Sequence, residues 1–217
     1  MEQSSHILYK GGQGEIVEKK SRFIANLFPV RTEEEALAKI SEMKKKYYDA
    51  RHNCFAYVIG EKRETERCSD DGEPSGTAGR PMLDVLEGMG LYNVVAVVTR
   101  YFGGTLLGTG GLVRAYSAAM KEGLAQCMVL HQQQGIRLRI KTDYNEIGKL
   151  QYLARSKGLW ELSCEYADAV LLELLVPIGE MEAVEVEITE KTSGKAQLER
   201  VETLRYGICD EEVVLLE

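Results

Sequence analysis

Alternating apolar residues and apolar residues spaced three to four apart follow one another along this chain, which predicts strands and helices in succession. Residues 14–30 read as two strands, with Ile16, Val17, Phe23, Ile24, Leu27 and Phe28 as their apolar positions. Thr32 followed by Glu33, Glu34 and Glu35 is an N-cap with acids in the first turn, and it opens a helix through Ala36, Leu37, Ile40 and Met43 to about Tyr48. Residues 52–60 form the next strand, and the polar segment 61–76 follows. Thr77 would cap a short helix that tolerates Pro81 in its first turn and turns Leu83, Leu86 and Met89 inward. In 91–102 the unbroken run Val94 to Val98 suits a strand buried on both faces. Leu112 to Cys127 reads as a helix.

The second half alternates more cleanly. Ile136, Leu138 and Ile140 oppose Arg137, Arg139 and Lys141 in a half-buried strand. A helix from Asn145 to Lys157 stops at Gly158, and a strand carrying Trp160, Leu162, Cys164 and Tyr166 on one face pairs with 168–177 around Ala167 and Asp168. A helix over Glu180 to Thr192 ends at Ser193-Gly194, and 195–202 closes as a strand. The order βαββαβ is ferredoxin-like. With 130–135 as the linker, the expected domains are 1–133 and 134–217, and the class is α+β.

Composition supports two surfaces. The net charge of −7 falls entirely on residues 134–217, which hold 10 basic and 17 acidic residues, against 17 of each in 1–133. That acidity disfavours indiscriminate nucleic-acid binding, and no DNA specificity is expected. Residues 88–121 nevertheless contain no acid, but do contain Arg100, Arg114 and Lys121. Five scattered cysteines without a C-x-x-C pair fit reduced thiols, so a cytoplasmic location is expected. Three well-separated histidines argue against a metal site. There is no secretory signal pattern and no apolar run of membrane length.

One stretch carries candidate chemistry. Thr99 to Tyr116 places Gly103, Gly104, Gly108, Gly110 and Gly111 between a buried strand and a helix, with Arg100 and Arg114 flanking them. Such a junction presents backbone N–H groups to an anion. The spacing Gly103-x4-Gly108 resembles a P-loop, but Thr109-Gly110 stands where Lys-Ser/Thr is required; a dinucleotide fingerprint would need a small residue at Val113. These glycines also serve close packing and positive φ. Arg100, Tyr101, Gly103, Gly104, Gly108, Gly110, Gly111 and Arg114 are therefore the candidate anion or nucleic-acid site. Tyr101 and Phe102 are candidate stacking groups, one of which should alternate into the core.

A possible second site is the segment with Asp70, Asp71, Glu73, Ser75, Thr77 and Arg80. Its acids would hold Mg2+ in an enzyme, or merely cap turns, with Arg80 pairing one of them. Arg137, Arg139 and Lys141 form a secondary candidate RNA face. His52 and Cys54 share one strand face, but Cys54 is in phase with Ala56 and Val58, which makes a core thiol the better reading. No catalytic residue, cofactor or metal is assigned.

The blocks 51–60, 69–83 and 94–119, and most closely Arg100-Tyr101-Phe102-Gly103-Gly104-x-x-Leu107-Gly108, resemble the IMPACT/YigZ family in its bacterial two-domain branch. The resemblance implies that the first domain is a ribosomal-protein-like α/β sandwich with a left-handed βαβ crossover. It implies that the second is a ferredoxin-like domain similar to the C-terminal domains of elongation factor G. It also implies a link to translation, since eukaryotic members regulate translation during amino-acid starvation by binding a partner of a stress kinase. Three functions follow as expectations: a translation-linked protein contacting RNA or ribosome phosphate; a regulator that binds a protein of the translation machinery; and a phosphotransfer or hydrolytic enzyme using Asp70 or Asp71 with Mg2+.

Overall fold

A computed structural model describes residues 6–209 and 212–216. Its contacts divide the chain into one unit that runs through His131 and another that begins at Gln132. Among the described residues no helix is long and apolar enough to cross a membrane.

The first unit is built on β2 (Gly12–Glu18), β3 (Ser21–Pro29), β4 (His52–Ile59), β5 (Thr65–Ser69) and β7 (Val94–Tyr101), in the order β2-β3-β7-β4-β5. Each neighbouring pair is antiparallel. β3 and β4 therefore run parallel on either side of β7, joined through α1 (Glu33–Lys46). Thr32 caps α1 as expected, its Oγ1 accepting from Glu35 N at 3.2 Å. α1 buries Ala36, Ile40 and Met43 against Tyr57, Val95 and Val97 on one sheet face.

The other face carries α2 (Gly79–Gly88) and α3 (Thr109–Ala125). Met82, Leu86, Leu112, Tyr116 and Met120 pack there on Phe23, Leu27, Ala56 and Val98. β7 is thus covered on both sides, as its run of valines predicts. A small sheet of β6 (Leu91–Tyr92), β1 (His6–Lys10) and β8 (Met128–His131) adds Leu8, Leu91 and Tyr92 to this core.

Several local expectations change. The strand expected over 91–102 breaks at Asn93, which takes φ 54° and separates β6 from β7. Met89 follows α2 and is exposed rather than inward. β1, β5 and β8 lack a clear alternating signature because each is short and mostly half-exposed. The expected linker 130–135 is mostly strand: Leu130 and His131 end β8, and Gln133 starts β9.

The second unit has the sheet order β10-β11-β9-β12-β13, from β9 (Gln133–Thr142), β10 (Trp160–Tyr166), β11 (Val170–Pro177), β12 (Gln197–Cys209) and β13 (Glu212–Leu216). The first four strands are the antiparallel ferredoxin-like sheet, and β13 adds an edge hairpin. α4 (Ile147–Ser156) and α5 (Met181–Lys191) cover one face, with Leu150, Leu153, Val184 and Ile188 packed on Leu138, Ile140, Leu172 and Leu174. The α+β class and this second fold are as the sequence predicts.

At Gly103 two chain segments meet closely. A Cβ there would lie 2.0 Å from the carbonyl carbon of Lys20. Gly103→Ala is expected to lower stability by about 1–3 kcal/mol through this overlap, read as a lower urea midpoint with an unchanged m-value.

Candidate functional site

Arg100 continues the buried face of β7, in phase with Val94, Ala96 and Val98. A guanidinium placed there needs a partner. Glu73 supplies it: Arg100 Nη1 donates to Oε1 at 2.7 Å and to Oε2 at 3.0 Å, with the two side chains only 6% and 3% exposed. The hydroxyl of Tyr116, from α3, donates to the same Oε1 at 2.9 Å. The guanidinium carbon also lies 5.4 Å from the Phe23 ring centre and 5.6 Å from that of Phe102. Arg100 Nε alone of its nitrogens is buried without a hydrogen-bond partner. The two segments that the sequence presents as separate candidate sites are therefore one structure, joined through Glu73.

Asp70 anchors the loop that brings Glu73 inward. Its Oδ2 accepts from Gly76 N at 2.8 Å, and its Oδ1 accepts from Ala78 N and Gly79 N at 2.9 Å. Asp70, not Thr77, thus caps α2; the Thr77 hydroxyl instead donates to the Pro74 carbonyl at 2.7 Å. Partial burial works against the charge on Asp70, but the three amides outweigh it and hold its carboxyl below the usual aspartate value. Asp71 accepts from Lys44 Nζ at 2.7 Å and from Asn53 N at 2.8 Å.

All three carboxylates expected to converge on Mg2+ are spoken for by separate partners, and no cluster able to hold a metal occurs among the described residues. Arg80 pairs with Asp84 and Glu87 on its own helix rather than with these acids. Ser75 is exposed on the loop.

Cys54 is a core thiol, as its phase predicts. Its Sγ lies 2.9 Å from the Asp70 carbonyl oxygen and 3.3 Å from the Tyr116 hydroxyl. Burial pushes the thiol up to about 12, against the opposing hydrogen bond with Tyr116. Burial also raises the Tyr116 phenol, helped by Cys54 and Glu73. His52, two residues before it on β4, is engaged separately: its Nδ1 lies 2.9 Å from the Asp71 carbonyl oxygen.

The glycine stretch divides into parts with different roles. Gly103 donates its N–H to Ser21 Oγ at 3.1 Å. Gly104 and Gly108 take φ 85° and 71°. Gly110 and Gly111, expected ahead of the helix, lie in the first turn of α3, which begins at Thr109. The amide of Leu112 is used by the Gly108 carbonyl. Arg114 is exposed and forms no ion pair among the described residues; its Nη1 lies 3.6 Å from where a Cβ of Gly110 would be.

Arg100 and Arg114, symmetric in the sequence, are thus opposite in the structure. One is neutralised in the core and the other faces water. Tyr101 and Phe102 both stay out of the core. The Tyr101 hydroxyl donates to Asp49 Oδ1 at 2.7 Å, while Phe102 is 49% exposed.

The secondary candidate face is largely neutralised. Arg137 pairs with Glu173 and Glu202, and Arg139 with Glu173 and Glu199. Lys141 alone of that trio is exposed and without an ion pair among the described residues.

Sequence reasoning missed Glu73 as the partner of Arg100 because they are 27 residues apart. The signal was the charge itself. An arginine in phase with Val94, Ala96 and Val98 on a strand read as doubly buried requires an acid from elsewhere.

Comparison with known proteins places this geometry. Residues 19–124 match the Impact N-terminal domain, and residues 140–195 match the domain of unknown function DUF1949. The chain is 42% identical over 193 residues to the IMPACT family member YvyE of Bacillus subtilis, covering 89% of each chain. The chain belongs to the IMPACT family. It is also 34% identical over 186 residues to the IMPACT family member YigZ of Escherichia coli, covering 85% of this chain and 91% of that one. A crystal structure described as that of a hypothetical protein aligns with a TM-score of 0.57 at 32% identity, over 93% of this chain and 99% of the other.

Two outcomes test the network. Glu73→Ala should cost about 3–5 kcal/mol by stranding the buried guanidinium, and Glu73→Ala combined with Arg100→Met should recover much of that loss in urea unfolding. The raised Cys54 and Tyr116 groups make folding favourable at full strength below the unfolded thiol value near 9. Stability should therefore fall as pH rises from about 9 toward 12, read as a declining urea midpoint.

Proposed function

We propose that this IMPACT family protein acts in translation by binding RNA phosphate, on the ribosome or free, at the loop after Tyr101 and the first turn of α3. The supporting observation is the division of labour between the two arginines. Arg100 is consumed by Glu73 in the core, while Arg114 stands exposed beside Gly110. The stretch 88–121 brings no acid of its own to this surface, and the carboxylate that Arg100 draws in, Glu73, is buried and neutralised. Backbone N–H groups of Thr109, Gly110 and Gly111 in the first turn supply neutral donors, and Arg114 supplies a charge-assisted one.

Arg100 has a positioning role here: it fixes the end of β7 from which the loop departs. The translational setting is the one that the family resemblance implies. The reading places the contact on the first unit, since Arg137 and Arg139 are already paired with glutamates. Docking on a protein of the translation machinery is the competing reading.

Arg114→Glu is expected to abolish co-sedimentation with ribosomes at low salt without lowering the urea midpoint, because the side chain is exposed. Co-sedimentation that persists in this variant, or that survives nuclease treatment of the ribosomes, would falsify the reading.

A further inference from the structure

One end of the five-stranded sheet collects cations that the sequence scatters. Antiparallel register sets Arg22 of β3 opposite Tyr101, and His52 of β4 opposite Arg100, so the starts of β3 and β4 and the end of β7 lie together. The β2–β3 turn brings Lys19 and Lys20, both exposed and both at positive φ, 45° and 70°. Gly103 is the close contact that seats this turn against the glycine loop. The C-terminal end of α1 arrives at the same place. Lys44 reaches Asp71, whose other oxygen takes the Asn53 amide at the start of β4, and Asp49 accepts from Tyr101. Lys45, Lys46 and Arg51 are carried there with them, and all three are exposed.

Lys19, Lys20, Lys45 and Arg51 form no ion pair among the described residues. Lys46 lies over the Tyr47 ring at 5.0 Å. The acids of this end are mostly engaged: Glu15 by Arg22, Asp71 by Lys44 and Asp49 by Tyr101, leaving Glu18. Lysines in the last turn of α1 suit its macrodipole, but that does not account for the lysine turn and Arg51 meeting them.

Aromatic rings flank the cations. Tyr48 is 84% exposed and precedes Asp49, while Phe102 follows Tyr101, so the Asp49–Tyr101 bond sets these two segments side by side. Tyr101 lies on the α1 side of the sheet, in phase with Val95 and Val97; Phe102 lies on the α3 side with Arg100. The basic surface therefore bends around the sheet end, with an exposed ring on either side. A rigid duplex presents phosphates on its outside and keeps its bases stacked within, so it has no use for the rings. An unpaired strand offers phosphates to the cations and base faces to the rings.

We infer that this sheet end is a binding surface for single-stranded RNA, with Lys19, Lys20, Lys45, Lys46 and Arg51 along the phosphates and Tyr48 and Phe102 as stacking platforms. The inference rests on the proposed RNA contact at Arg114 and extends it to residues outside the glycine loop.

The test titrates the full chain into a fluorescein-labelled oligouridine strand of about 12 nucleotides, and into its duplex with oligoadenosine, from about 50 to 200 mM salt. The single strand should bind more tightly than the duplex. Tyr48→Ala and Phe102→Ala should each weaken it at least about fivefold. Combining Lys19→Asn with Lys20→Asn should reduce the slope of log affinity against log salt by about 1.4, as two lost phosphate contacts require. Asparagine preserves the left-handed backbone, and a matching thermal transition for each variant confirms that folding is intact.

If Arg114→Glu weakens binding while the Tyr48, Phe102 and lysine variants leave it unchanged, this surface is refuted and the loop reading survives. Equal affinity for the duplex also overturns the inference. If the unaltered chain binds neither RNA nor ribosomes, both readings fall. A partner that resists nuclease and is lost in the Lys19→Asn, Lys20→Asn variant would make the surface a protein interface and overturn the inference as well.

Discussion

A guanidinium buried on a core strand imposes a demand that the first unit is arranged to meet. Arg100 sits on the α3-facing side of β7, where water cannot compensate its charge, and the cost of leaving it unpaired is several kcal/mol. Glu73 reaches it from a loop, Tyr116 from α3, and Cys54 from β4 completes the chain of contacts. Four segments distant in sequence are thereby held to one geometry. The pair is a device of position more than of net stability, since two well-packed apolar residues would serve stability as well. What it secures is where β7 ends and how the 70–79 loop folds over it.

That placement determines what reaches the surface. Asp70 accepts from three amides, of its own loop and the start of α2, so its charge is taken up within the chain. Past Arg100 the chain leaves the sheet at Tyr101, passes Lys20 within a distance that only glycine permits, and enters α3 through Gly108. At this end of the sheet the acids other than Glu18 are drawn inward or paired, and unpaired cations stay outside. The local basic character of an acidic protein comes from that sorting together with the acid-free stretch 88–121.

Much of the fold was legible because periodicity is a local property. The N-cap at Thr32, the doubly covered run Val94 to Val98 and the βαββαβ order of the second unit each follow from residues a few positions apart. The candidate site was legible only as a stretch of chain. Arg100 and Arg114 look alike in sequence, since both are arginines flanking glycines. Their difference depends on facing: Arg100 shares a strand face with Val98, and Arg114 lies on the outer side of α3. Arg137 and Arg139 read as cations, yet Glu173, Glu199 and Glu202 lie on neighbouring strands, a pairing set by β-register.

The sequence by itself determined the α+β class, the two-part organisation, the ferredoxin-like order and the acid-free stretch around the glycines. These rest on hydrophobic spacing, turn residues and charge counts, which need no knowledge of distant contacts. The tertiary structure alone decided which charges cancel. It joined Glu73 to Arg100, committed Asp70 and Asp71 to amides and Lys44, and brought the Lys19–Lys20 turn beside Gly103. The physical reason is range. Backbone propensity acts over one turn or one pleat, whereas the fate of a charge depends on whatever the folded chain sets within a few ångströms of it.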